Sequence, residues 1–164
     1  MKSGAAAFLP SAPLAALCRR YGIAEDGESR LRGLGGLIVS DPTAPTTLRE
    51  PTCVLNDHLA DSLVALELDS VRSAGVIADL GAGAGFPGLP LAIALPASEV
   101  NLIESNARKC EFMARAAVVC GLGNVSVVAS RAESWAAGIG RCDLVTARAL
   151  APLAVIAEYA APLL

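Results

Sequence analysis

From Val76 onward, apolar runs of strand length alternate with longer amphipathic stretches, a pattern that predicts a doubly wound α/β unit. Val76–Leu80 reads as a first strand, Pro87–Leu95 as a helix closed by Pro96, and Val100–Ile103 as a second strand. A longer helix from about Asn106 to Cys120 follows, ended by Gly121 and Gly123. The third strand is predicted at Val125–Ala129, a short helix near Glu133–Ala137, the fourth strand at Leu144–Ala147 and a last helix at Pro152–Tyr159. Right-handed crossovers then give a parallel sheet of order 3-2-1-4, with ligands over the carboxyl ends of the strands.

Upstream the pattern is looser, so residues 1–70 are expected to form a helical or irregular N-terminal region and residues 71–164 the Rossmann-like domain. A helix is predicted around Leu14–Tyr21, a Gly-rich stretch at Gly33–Gly36, and a surface loop at Asp41-Pro42-Thr43-Ala44-Pro45. Helical periodicity resumes between Cys53 and Leu68, where Val54, Leu55, Leu59, Leu63, Leu66 and Leu68 share an apolar face and Thr52 is the expected N-cap. His58 and Asp61 stand three apart there, a spacing at which side chains touch; a partly exposed ion pair is favoured over an oriented catalytic His.

Composition narrows the class. At 164 residues with 54% hydrophobic and 18% charged residues, the chain suits one domain with a sizeable core. A net charge of −3 argues against a free-standing electrostatic binder of nucleic acid, although it permits a local basic face. Cys18, Cys53, Cys110, Cys120 and Cys142 are odd in number and scattered, so they read as small buried hydrophobes in a reducing cytosol, with no metal site. Lys2 and the run Ala5-Ala6-Ala7-Phe8-Leu9 resemble a secretory start, but Pro10 and Pro13 interrupt it and Leu17 is too large before Cys18 for lipoprotein-type cleavage. A cytoplasmic protein with no membrane span is expected.

The candidate chemistry lies in Val76–Gly88, VIADLGAGAGFPG, where an apolar strand ends in an acid and opens into Gly81, Gly83, Gly85 and Gly88. Glycines there make a tight turn that a small molecule can approach closely. Glu104 ends the second strand, about 20 residues past that turn, where such folds place the acid that grips a ribose. Asp79 helps to choose the ligand, because a carboxylate repels a pyrophosphate and attracts a cation. S-adenosylmethionine, with its sulfonium, ammonium and ribose, fits that pattern; a turn or helix cap is the other role open to Asp79, and a solvated strand end the other for Glu104. Ser130-Arg131-Ala132-Glu133 follows strand three, where the Ala132 backbone and the Glu133 carboxylate can receive an adenine. Arg148 follows strand four and can pair with a ligand carboxylate, with the acids around it or with a substrate phosphate.

On these residues the chain resembles the RsmG family of bacterial small-subunit (16S) ribosomal RNA guanine-N7 methyltransferases, from about His58 to the C-terminus. The carriers are His58-Leu59-Ala60-Asp61-Ser62, the turn from Asp79 through Phe86-Pro87-Gly88, Ile103-Glu104-Ser105, Ser130-Arg131-Ala132-Glu133 and Thr146-Ala147-Arg148-Ala149. The resemblance implies S-adenosyl-L-methionine as cofactor, contacts on Gly81, Phe86, Ala132, Glu133 and Arg148 with Glu104 at the ribose, and 16S rRNA or the small ribosomal subunit as partner. Guanine N7 carries a free lone pair, so no general base is required, and Arg131 and Arg148 are the candidates to position RNA. Asp57 stands where the family has a basic residue. The chain stops at Pro162-Leu163-Leu164, whereas the family continues into further strands; strand four is then an edge, and a shortened product, a fragment or a subunit completed by a partner is expected.

Two other classes use part of the same pattern. An inactive or partner-dependent remnant of the family would bind cofactor without turnover, and an NAD-type oxidoreductase would share the glycine turn and Glu104 but have no use for Asp79. Nothing in the sequence sets the oligomeric state or the nucleotide modified.

Overall fold

The computed structural model describes residues 9–164, so the signal-like start from Lys2 to Phe8 lies outside the described residues. The chain runs α1 (Ser11–Tyr21), α2 (Glu25–Ser40), a continuous helical segment over residues 51–67, α5 (Asp69–Arg72), β1 (Val76–Leu80), α6 (Gly88–Ala94), β2 (Glu99–Glu104), α7 (Ala107–Val119), β3 (Val125–Ala129), β4 (Leu144–Ala147) and α8 (Leu153–Ala160). The segment 51–67 is built from α3 (Pro51–Cys53), a π-helical stretch (Val54–Ala60), α4 (Asp61–Leu63) and a 3₁₀ turn (Val64–Glu67).

All four strands are parallel, in the expected order β3-β2-β1-β4. Their alternate residues feed two cores. Ile77, Val100 and Leu102 join the larger one, under α6, α7 and the N-terminal helices; Ala78, Leu80 and Ile103 join a smaller one with Cys142 and Leu163. The larger core runs without a break from Leu14, Leu31, Leu34 and Ile38 of the first two helices to Phe112 and Met113 of α7. An ion pair seals the same junction at the surface, where Arg115 of α7 donates to Asp41 at 2.9 Å and to the Thr43 hydroxyl at 2.7 Å. Bonds from Thr43, then Arg115, hold the Asp41 carboxyl down at about 2, which fixes the predicted loop after α2.

The helix ends follow local chemistry. Gly22 takes the left-handed conformation after α1 (φ 69°) and lets Ile23 N–H reach back to Cys18 O at 2.9 Å. Asn106 caps α7 by accepting from Lys109 N–H. Of the two glycines expected to end α7, Gly121 does so, with φ 62°.

Four expectations are corrected. The Gly33–Gly36 stretch lies inside α2: each glycine weakens a helix by about 1 kcal/mol, but Leu31, Leu34 and Ile38 are fully buried there and three acids in the first turn complement the dipole. Thr52 is not an N-cap, because Pro51 takes the first helical position and Glu50 precedes it. Leu68 leaves the shared apolar face and is 62% exposed, since the chain turns extended at that residue. The short helix near Glu133–Ala137 is two 3₁₀ turns, Ala132–Ser134 and Ala136–Gly138, broken at Trp135.

All five cysteines are free thiols, and burial pushes Cys120 up to about 11, which keeps it protonated and unreactive. No described helix is long and apolar enough to cross a membrane. No group of three or more metal-ligating side chains occurs among the described residues.

Leu31→Ala is expected to cost about 2–5 kcal/mol, because the side chain is fully buried where α2 meets the α/β unit. Urea unfolding measures it, and a loss under 1 kcal/mol would contradict a shared core.

Candidate functional site

At the carboxyl edge of the sheet, β1 ends in Asp79-Leu80 and the chain turns through Gly81, Gly83 and Gly85, all at positive φ. A positive φ is strained for any residue with a Cβ, so the turn needs its glycines here. Five of the six N–H groups from Gly81 to Phe86 are bonded within the protein, all but that of Ala84. Gly81 and Ala82 N–H both donate to Ile103 O, Gly83 N–H donates to Glu104 Oε2 at 3.2 Å, and Gly85 and Phe86 N–H donate to Ala82 O.

A cleft of about 310 Å³ opens between this turn and the ends of β2, β3 and β4. Its walls include Gly81, Glu104, Arg131, Ala132 and Glu133, so the structure brings five of the predicted site residues together. Glu104 is buried (7% exposed), accepts from Asn106 N–H at 2.9 Å and has Lys109 Nζ at 3.8 Å. Arg131 is mostly exposed and lies 3.8 Å from Glu133. Lys109, Leu150 and Tyr159 also line the cleft and were not anticipated. Lys109 could have been found by noting that a helix capped at Asn106 turns its first residues back toward Glu104. Leu150 and Tyr159 carry no local signal, because the fold-back after β4 brings them there. Leu150 closes one side: a Cβ on Gly81 would stand 2.6 Å from Leu150 Cδ1.

Asp79, Gly83, Phe86 and Arg148 do not line the cleft. Asp79 is fully buried; its Oδ2 accepts from Gly88 N–H at 2.9 Å and its Oδ1 from the Thr146 hydroxyl at 3.1 Å. It therefore takes the capping role and does not reach a ligand directly. Burial pushes its carboxyl up to about 7, against the pull of the Gly88 and Thr146 bonds and of Arg148. Gly88 allows this, since a Cβ there would collide with Leu102 and stand 2.8 Å from Asp79 Oδ2.

Arg148 spends its donors on the helical segment instead of the cleft. Its Nη1 donates to Asp57 O at 2.9 Å and to Asp61 Oδ2 at 2.7 Å, and Nη2 lies 3.2 Å from His58 Nδ1. Of the partners open to Arg148, a nearby acid, Asp61, is the one observed, joined by the Asp57 carbonyl and the His58 ring. The expected ion pair between His58 and Asp61 is not formed: His58 is buried, stacked on Phe86 with ring centres 4.5 Å apart, and Asp61 pairs with Arg148.

The likeness to known proteins decides the family. Residues 44–164 match the family described as rRNA small subunit methyltransferase G (GidB). The chain belongs to this family. It is 46% identical over 119 residues to the ribosomal RNA small subunit methyltransferase G of Rubrobacter xylanophilus, covering 71% of this chain and 46% of that protein. The protein of the same name from Stenotrophomonas maltophilia strain K279a is 44% identical over 119 residues, covering 73% of this chain and 54% of the relative. This chain thus spans about half the length of the curated relatives it matches. A solved protein-L-isoaspartate O-methyltransferase shares the fold, with a TM-score of 0.53 at 14% identity over 84% of this chain and 47% of that one. The Rossmann-like methyltransferase fold expected from the sequence is the fold observed.

The Asp79 carboxyl carries a pH signature with a definite sign. Unfolded it releases its proton near 3.8 and folded near about 7, so between these values the folded state holds the extra proton and stability falls as pH rises. Asp79→Asn still accepts from Gly88 and cannot ionise. Relative to the wild type it is expected to gain on the order of 2 kcal/mol between pH 5 and pH 8, read from urea unfolding at the two pH values. An unchanged difference would show that Asp79 ionises freely in the fold.

Proposed function

We propose that the cleft binds S-adenosyl-L-methionine and that the protein methylates guanine N7 of small-subunit (16S) ribosomal RNA. The observation that carries the reading is the state of the glycine turn. A pyrophosphate cradle needs free backbone N–H groups, and those of Gly81, Ala82, Gly83, Gly85 and Phe86 are already bonded within the protein. What faces the cleft is of mixed sign, with Glu104 and Glu133 beside Lys109 and Arg131. Such walls suit a ligand that carries a carboxylate, an ammonium and ribose hydroxyls but no phosphate. The NAD-type reading loses its support for the same reason. The guanine-N7 specificity and the ribosomal substrate follow from the family's name and the resemblance.

The cofactor supplies an electrophilic methyl on a sulfonium. The protein's task is then to bind, orient and exclude water, because guanine N7 attacks through a lone pair that no residue has to unmask. Glu104 is the acceptor for the ribose, held in place by Gly83 and Asn106 N–H on either side. Ala132 and Glu133 receive the adenine at the end of β3. Arg131, mostly exposed at the rim, contacts RNA phosphate or the target base. Asp79 serves through the turn it braces. The same reading implies a cytoplasmic protein working on the ribosome or its precursor. A cofactor-binding remnant of the family is the second reading; it predicts binding without turnover.

Incubation with S-adenosylmethionine and unmodified small ribosomal subunits is expected to yield 7-methylguanosine in the RNA; cofactor binding without that product selects the remnant. Glu104→Gln is expected to weaken S-adenosylhomocysteine binding by about tenfold in calorimetry. Arg131→Ala is expected to lower RNA methylation by about tenfold while leaving cofactor affinity within about twofold. Equal losses in both measurements would remove Arg131 from the RNA side.

A further inference from the structure

His58 belongs to none of the groups that line the cleft, yet it touches both segments that bound it. It sits in the π-helical stretch Val54–Ala60, an irregularity that often marks a functional position. Its ring lies flat on Phe86, which follows the glycine turn, with an interplanar angle of 6°. Its Nδ1 faces Arg148 Nη2 at 3.2 Å, and Arg148 follows β4 immediately before the cleft wall Ala149–Leu150.

The chemistry at the two ring nitrogens is determined by their partners. A guanidinium only donates, so Nδ1 must be the acceptor and carry no proton. The proton then sits on Nε2, which donates to the Thr46 hydroxyl at 3.0 Å. Arg148 is enclosed on its other sides by Asp61, by the Asp57 carbonyl and by the face of Phe86, whose centre is 5.8 Å from the guanidinium carbon. The next residue, Ala149, has φ 54°, a left-handed conformation that costs an alanine about 1 kcal/mol and persists only where neighbours enforce it. Leu150 follows and packs over Gly81.

We infer that His58 is a positioning residue for cofactor binding: as a neutral acceptor for Arg148 and a stacking platform for Phe86, it sets the distance between the glycine turn and the Ala149–Leu150 wall. The inference rests on the cleft being the cofactor site. Without the acceptor, Arg148 loses a partner, the strained backbone at Ala149 relaxes and the wall moves relative to Gly81. The charged groups around His58 are Asp57 and Asp61 on its own helical segment, Arg148 after β4, and Arg49, which donates to the Thr46 carbonyl. The segment carrying Phe86 brings no charge. Burial, then Arg148, hold the imidazole below its usual range, while Leu48, Asp57 and Asp61 oppose them. Protonation removes the acceptor and sets two cations face to face, so cofactor affinity falls as pH drops through that lowered value. Burial holds the Asp79 carboxyl higher, at about 7.

His58 is the single histidine of the chain, so one imidazole ¹⁵N pair reports it directly. At pH 7.5 the wild-type protein is expected to show the Nε2–H tautomer, with ring shifts that move when S-adenosylhomocysteine is added. An Nδ1–H tautomer, or shifts indifferent to ligand, would overturn the inference. In calorimetry His58→Phe, which keeps the stack and loses the acceptor, is expected to bind S-adenosylhomocysteine about tenfold more weakly. His58→Asn, which keeps an acceptor that cannot ionise, is expected to restore most of that loss at pH 7.5 and to lack the wild-type decline below pH 6.5. A folded His58→Phe protein with wild-type affinity and pH profile would overturn the inference and leave the cofactor site standing. If His58→Phe does not fold, the tautomer and the His58→Asn profile decide. Absence of binding by the wild-type protein would overturn the cofactor site itself, and this inference with it.

Discussion

The carboxyl of Asp79 is the constraint around which the carboxyl edge of the sheet is arranged. It lies at the end of β1 with no exposed surface, and its two oxygens are taken by the first amide of α6 and by a hydroxyl of β4. A buried carboxyl is tolerable only when its oxygens are bonded. The need to bond them draws the start of α6 and the strand β4 to the same point. That convergence forces glycine at position 88, where α6 approaches β1 and Leu102 too closely for a Cβ. The same acid that suggests a ligand contact in the sequence is thus the brace that gives the glycine turn its shape.

From that brace follows the character of the cleft. The turn that leaves Asp79 folds five of its six amides inward onto Ile103, Glu104 and Ala82, so the backbone offers little to an anion. What lines the opening instead is side chains of both charges at and after the ends of β2 and β3, Glu104, Lys109, Arg131 and Glu133. A glycine-rich turn is commonly a phosphate device; here its hydrogen bonds make it a rigid wall.

The side of the sheet edge away from the cleft is equally organised. The π-helical stretch carries His58 into the protein beneath Phe86, and Asp57 and Asp61 on the same segment hold Arg148. The N-terminal helices support this arrangement through one continuous core, and Arg115 fastens α7 to the loop after α2. The first part of the chain therefore shapes the cleft indirectly, by holding the helical segment on which His58 sits.

Much of the fold was legible because strands and helices are written in local periodicity. The four strands, their order, α6, α7 and α8 could be read from runs of apolar residues, from Pro96 and Gly121, and from the handedness of crossovers. The site was legible in part: Gly81, Glu104, Arg131, Ala132 and Glu133 meet as their places at strand ends implied. α2 was hidden by its glycines, since propensity is local and the burial of Leu31, Leu34 and Ile38 that overrides it is not. The sequence by itself determined the α/β frame, the family and the sheet edge at which the cleft opens. Only the tertiary structure decided what Asp79, His58 and Arg148 do there. Thr146 stands 67 residues from Asp79 and Arg148 is 87 to 91 residues from Asp57, His58 and Asp61, and what a polar side chain faces depends on which distant atoms are folded against it.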